Sequence, residues 1–178
     1  MDALARLVAV EAIRQAALRY CRGVDRLDVA LMRSAYLPGA VDDHGVYVGD
    51  AAAFCERVVA SHARYDATMH CVLNHAIEVD GPQQARGEVY VVTYVLRTDE
   101  DGAVWQDTWW GRYRDRYGEQ AGRWGIAHRV CVHEWTQTGP LGPPMTPHAA
   151  AFAQGRDDRG TGAVLGPDAA GRTAVHDS

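Results

Sequence analysis

The chain has 178 residues, a formal net charge of −5, and 47% hydrophobic against 23% charged residues. That length builds one core but not two comfortable domains, the acidic balance speaks against a nucleic-acid surface, and no apolar run approaches the roughly 20 residues of a membrane span. All 18 basic residues are arginine, which rules out a lysine Schiff base or attached pyridoxal phosphate.

Residues 4–22 carry Leu7, Val10, Ile13, Ala17 and Tyr20 at three- and four-residue steps, the pattern of an amphipathic helix, with Gly23 as its stop signal. Arg6, Glu11, Arg14 and Arg19 break up any signal-peptide core, so a cytoplasmic protein is expected. Cys21, Cys55, Cys71 and Cys131 form no CxxC motif and are expected to be free thiols. Asp28 suits the N-cap of a second short helix ended by Pro38-Gly39, and Asp50 that of a third helix running to about Tyr65. Between them, Asp42-Asp43-His44-Gly45 signals a turn or short hairpin.

After Tyr65 four segments rich in Val, Thr, Tyr and Trp have strand chemistry, at about 68–80, 85–98, 103–117 and 123–135. Asp80-Gly81-Pro82, residues 98–102 and residues 118–122 are turn-formers. Three helices followed by long antiparallel strands predict an α+β domain over residues 1–136, with the helices covering one face of the sheet. From Thr136 the pattern stops. The remainder holds five of the seven prolines and reads as a tail over 137–178, disordered or packed on a neighbouring subunit.

Alternation on the first long strand puts Thr68, His70, Val72, Asn74 and Ala76 on one face, a mixed surface suited to a pocket wall. Met69, Cys71, Leu73, His75, Ile77 and Val79 then form a core face. His70 is either a satisfied structural histidine or a group for chemistry near neutral pH. The odd spacings His70/His75 and His128/His133 put each pair on opposite faces, and HxH, HExxH and CxxC are all missing, so no metal site is expected. Asp25 lies just beyond the first helix as a solvated turn residue or something more, and Tyr20 faces inward as a core residue or a pocket donor. In the last strand Trp124, Ile126, Val130 and Val132 look like core. Arg129 lies mid-strand on the other face, where it must meet a carboxylate or an anionic substrate group. Arg112, Arg114 and Arg116 read as a solvated strand face.

The segments Tyr20-Cys21-Arg22-Gly23-Val24-Asp25-Arg26, Thr68-Met69-His70, Gly111-Arg112-Tyr113 and Gly122-Arg123-Trp124-Gly125-Ile126-Ala127-His128-Arg129 resemble the SnoaL-like branch of the NTF2-like superfamily. The resemblance covers about residues 3–136. It implies a cone-shaped α+β barrel with three N-terminal helices against a curved, mostly antiparallel sheet. Members include bile-acid 7α-dehydratase, scytalone dehydratase, hexachlorocyclohexane dehydrochlorinase, polyketide cyclases and ketosteroid isomerase.

By that resemblance His70 removes a carbon-bound proton, Asp25 orients its ring, Tyr20 donates to a carbonyl or leaving oxygen, and Arg129 polarises the substrate or leaving group. Val72, Asn74, Tyr113 and His44 are the expected substrate-lining residues. The implied activity is that of a cofactor-independent, dehydratase-like lyase acting on a hydrophobic cyclic small molecule such as a steroid, polyketide or terpenoid. An isomerase or cyclase using the same dyad is the rival enzyme, and a non-catalytic binding or assembly subunit the rival class. Two departures block any carry-over of substrate: Thr93 or its neighbours replace an acidic residue of the bile-acid enzyme, and the paired tyrosines and second histidine of scytalone dehydratase are not clearly present. A homotrimer is implied, ahead of a dimer. Trp105, Trp109, Tyr113 and Tyr117 share one strand face that two or three copies would bury, and the tail would close a neighbour's pocket.

Overall fold

In the computed structural model, which describes residues 1–142, helix α1 spans Ala3–Arg26. Asp2 caps it by accepting from the Ala5 N–H at 2.7 Å. The helix runs through Gly23 and ends where Leu27 turns left-handed (φ 55), so Asp25 sits in the last helical turn instead of following the helix. Gly23 serves packing: a Cβ there would lie 2.5 Å from Met32 Cγ, and its absence lets α2 (Val29–Arg33) fold back against α1. Asp28 caps α2 through the Leu31 N–H at 2.9 Å, and Asp50 caps α3 (Ala51–His62) through the Ala53 N–H at 2.9 Å.

Pro38-Gly39 does not end a helix. It lies inside strand β1 (Tyr36–Asp43), where pairing with the last strand is interrupted between Tyr36 and Val41. An irregularity is where a strand tolerates proline, since no ladder N–H is needed there. Strand β2 (Val48–Asp50) closes the hairpin expected around His44-Gly45. Four long strands follow: β3 (Ala67–Val79), β4 (Gln84–Thr98), β5 (Val104–Gln120) and β6 (Arg123–Pro140). The sheet has six strands in the order β2-β1-β6-β5-β4-β3, antiparallel except for β1 on β6. It stays open, with β2 and β3 as its edges. The α+β class is as expected, and the four long strands follow the helices; β1 and β2, the hairpin signalled around His44-Gly45, come between α2 and α3 and join the same sheet.

Helix α1 lies against β3 and β6. The core gathers Ile13, Ala17, Tyr20 and Val24 of α1, Met32, Phe54 and Val58, and Val89, Val91, Tyr113, Tyr117 and Ile126 from the sheet. Bulges decide which strand residues face it, because one extra residue reverses the alternation. On β3 the register shifts between Val72 and His75. Thr68, His70 and Val72 face inward before the shift, and His75, Ile77 and Val79 after it, while Met69 and Leu73 are 61% and 55% exposed. The predicted core face of β3 is thus corrected at Met69 and Leu73.

On β6 the shift falls at Ala127, opposite Arg116/Tyr117. Trp124 and Ile126 are buried as expected, but the inner face then passes to Arg129 and Cys131 in place of Val130 and Val132. The aromatic row of β5 is also corrected. Tyr113 and Tyr117 are buried in the core and Trp109 packs against it, so these three cover the helix side of the sheet instead of facing another copy.

Strand β6 continues to Pro140, paired with Trp105 of β5. Residues 143–178, with Met145, Phe152, Val164 and Leu165, lie outside the described residues, and the expectations for the tail lie there with them. No helix of the described residues is long and apolar enough to cross a membrane.

Candidate active site

A cavity of about 380 Å³ opens between the end of α1, the β1–β2 hairpin, α3 and the inner face of the sheet. Tyr20 and Val24 come from α1, His44 and Val46 from the hairpin, Phe54 and Val58 from α3, and His70, Thr93, Trp109, Tyr113, Cys131 and His133 from the sheet. It is mostly apolar and aromatic with a few placed polar groups, the usual make-up of a small-molecule site.

Because α1 extends past Gly23, Asp25 reaches β3. Its Oδ1 lies 2.7 Å from His70 Nδ1, and its Oδ2 accepts the His70 backbone N–H at 2.9 Å. One carboxylate therefore fixes both the main chain and the ring of the same residue. An ionised carboxylate only accepts, so Nδ1 carries the hydrogen and Nε2 of the neutral ring keeps its lone pair. The side chains are 8% (His70) and 16% (Asp25) exposed.

Tyr20 and Tyr113 both line the cavity, and burial holds both phenols well above their ordinary range, so they remain neutral hydroxyls. Burial likewise pushes the Cys131 thiol up to about 12, which makes it a poor nucleophile. Thr93 pairs with His70 across β3 and β4, and its buried hydroxyl has no protein partner.

Three expected site residues are placed elsewhere. Asn74 lies in the β3 bulge and is exposed, because the extra residue turns it away from the face that holds His70. Val72 packs against the core and does not line the cavity. Arg129 is fully buried and bonds Asp115 through Nε at 2.8 Å and Nη2 at 2.7 Å. Its guanidinium carbon sits 3.9 Å from the Tyr113 ring centroid and 4.4 Å from that of Tyr20. Of the two partners open to it, Arg129 takes the carboxylate. It supports Tyr20 and Tyr113 from behind and does not line the cavity.

Sequence reasoning missed the carboxylate behind His44. Asp42 is fully buried, accepts the Tyr36 hydroxyl at 2.5 Å and contacts His44 Nδ1, while His44 Nε2 lies 3.4 Å from the Tyr20 hydroxyl. Alternation on β1 was the available signal, since Asp42 and His44 are two residues apart on one face. His62 and His133 also line the cavity and were not expected there. Among the described residues, no group of three or more His, Cys, Asp or Glu side chains is arranged to hold a metal ion.

Comparison with solved structures gives the same fold at low identity. The LinA-type3 hexachlorocyclohexane dehydrochlorinase from Novosphingobium barchaimii superposes with a TM-score of 0.67 at 18% identity, over 82% of this chain and 99% of that one. A provisionally assigned scytalone dehydratase from Novosphingobium aromaticivorans gives 0.68 at 16% identity, over 76% and 91%. The β subunit of a provisionally assigned aromatic-ring-hydroxylating dioxygenase from the same organism gives 0.58 at 20%, over 73% and 92%. No curated protein matches the chain. The SnoaL-like domain family matches residues 5–130, which hold nearly all of α1, strands β1 to β5, the first part of β6 and every cavity residue named above except Cys131 and His133. The chain therefore belongs to the SnoaL-like family.

Proposed function

We propose that the chain is a cofactor-independent, dehydratase-like lyase in which His70 abstracts a carbon-bound proton from a hydrophobic cyclic small molecule and Asp25 holds and stabilises the resulting imidazolium. The observation that carries this reading is the double clamp of Asp25 on His70, which commits Nδ1 and leaves Nε2 for the ligand. A general base so held contributes about 100- to 10,000-fold. The aromatic lining suits a flat or cyclic apolar ligand, and Tyr20 is the neutral donor available to a developing oxyanion. The folds shared with a dehydrochlorinase and a provisional scytalone dehydratase fit this reading. The fold shared with a dioxygenase β subunit fits the rival reading of a non-catalytic module. An open cavity with an oriented imidazole favours the enzyme, because an assembly subunit needs neither.

The test is turnover of a panel of steroid, polyketide and terpenoid alcohols, followed by mass spectrometry. Loss of water marks a lyase and an unchanged mass an isomerase or cyclase. His70→Ala and Asp25→Asn should each lower turnover about 100-fold or more while the protein stays folded. A folded His70→Ala protein with normal turnover would place the base elsewhere.

A further inference from the structure

The cavity holds a second histidine–carboxylate pair. Asp42 is fully buried, and its two oxygens meet the Tyr36 hydroxyl and His44 Nδ1. A buried carboxylate is costly without a positive partner. The guanidinium of Arg129 is held bidentate by Asp115, and His44 is the ring whose Nδ1 contacts Asp42, so a proton taken up by that ring would be balanced by the carboxylate behind it. The ring of His44 stacks on Phe54 with centroids 4.3 Å apart, which fixes its plane, and the side chain keeps 18% exposure on the cavity. Nε2 is then directed at the Tyr20 hydroxyl at 3.4 Å, a long contact that a ligand oxygen can replace or share.

The hairpin does not require this pair. Its turn is already closed by the His44 N–H on the Tyr47 carbonyl at 2.9 Å and the Gly45 N–H on Asp43 Oδ1 at 2.9 Å. The other titratable groups facing the same space are Tyr20 from α1, Arg57 and His62 from α3, Tyr65 after it, and His70, Tyr113, Cys131 and His133 from the sheet. Unlike His70, whose Asp25 keeps 16% exposure, His44 is bonded to a fully buried carboxylate.

We propose that His44 is the acid of this site and Asp42 its positioning residue, so that the cavity takes ligands in which a C–H bond and a bond to a departing oxygen break in one sequence. This rests on the reading of His70 as the base. His70 Nε2 takes the carbon-bound proton, the freed electron pair forms the new multiple bond, and the bond to the departing oxygen breaks. Protonated His44 gives its Nε2 proton to that oxygen, directly or through the Tyr20 hydroxyl, which passes on its own proton as it receives one. Solvent then deprotonates His70 and reprotonates His44.

Benzisoxazoles test this with the full-length protein. Loss of their ring C–H proton breaks the N–O bond and gives a cyanophenolate, whose need for a proton grows as the leaving group worsens. Wild type should open both the nitro-substituted and the unsubstituted ring faster than buffer. His44→Gln and Asp42→Asn should each lose on the order of 100-fold on the unsubstituted ring but about threefold on the nitro compound, with an unchanged melting temperature. Equal losses on both probes, or none, would overturn the role of His44. Should Asp42→Asn fail to fold, His44→Gln decides alone. His70→Ala separates the two readings: it should abolish the acceleration of both probes, and retained rates would sink the base assignment whatever His44 does. A wild-type protein that accelerates neither probe overturns both readings.

Discussion

His75 gives a prediction that needs no substrate. The β3 bulge turns it inward, where Nε2 lies 3.1 Å from the Tyr117 hydroxyl, and that hydroxyl donates its one proton to Asp115 Oδ2 at 2.9 Å. His75 must therefore be the donor to Tyr117, as a neutral ring with its hydrogen on Nε2. Burial pushes its pKa down from 6.5 to about 4, with Asp115 opposing and Arg129 and Arg14 adding repulsion. Between these two values the unfolded chain binds the proton more tightly, so stability is present above pH 6.5 and is lost as pH falls toward 4. A ring titrating at about 4 folded and about 6.5 unfolded costs roughly RT ln 30, about 2 kcal/mol, at about pH 5, and nearer 1 kcal/mol where solvent screens the ring. Urea unfolding of wild type and His75→Gln at about pH 7.5 and about pH 5 isolates this quantity, since all other groups cancel between the two proteins. Wild type should lose about 1–2 kcal/mol more than the variant over that interval. Parallel pH dependences would show that His75 titrates normally, and the bulge argument would fail with it.

Two further predictions concern the support of the site and its outer face. Asp115→Asn leaves the Arg129 charge buried and unpaired and should cost about 3–5 kcal/mol of stability in denaturant unfolding; a loss below about 1 kcal/mol would mean that water or another group reaches the guanidinium. The resemblance implies a homotrimer, and the structure moves the surface that would serve it to the opposite face from the one expected, where Met69, Leu73, Tyr90, Tyr94 and Trp135 are exposed. Light scattering at micromolar concentration should give a multiple of the chain mass that falls to one chain in Trp135→Arg, and a wild-type protein with the mass of one chain would end the proposal.

What was legible in the sequence, and what was not, divides at the bulges. Periodicity and caps found the three helices because each signal is local: Asp28 and Asp50 cap where their side chains can reach the next N–H groups. Strand chemistry found the four long strands for the same reason. Inward and outward faces were read as unbroken alternation, which holds from Thr68 to Val72 and from Trp124 to Ile126 and fails beyond. A bulge depends on the partner strand, which no single segment specifies. That one cause misplaced Asn74, while His75, Ile77 and Val79 keep the inward face expected for them. It also carried Arg129 to the face where Asp115 waits, far enough behind Tyr20 and Tyr113 that a residue expected to touch the ligand shapes the cavity through two rings instead.

The Asp25–His70 contact was readable because a family pattern supplied the long-range pairing that periodicity lacks. Asp42–His44 had no such guide, although its two members lie two residues apart. A buried aspartate looks in sequence like any turn aspartate, and only the packing of Tyr36 and Phe54 around the hairpin distinguishes it. Both pairs arise in the same way: an element end, the last turn of α1 or the hairpin after β1, brings a carboxylate to an imidazole Nδ1. Two rings so oriented around one cavity suit a reaction that removes a proton at one atom and returns one at another, which is why the two variants, His70→Ala and His44→Gln, should fail in different ways.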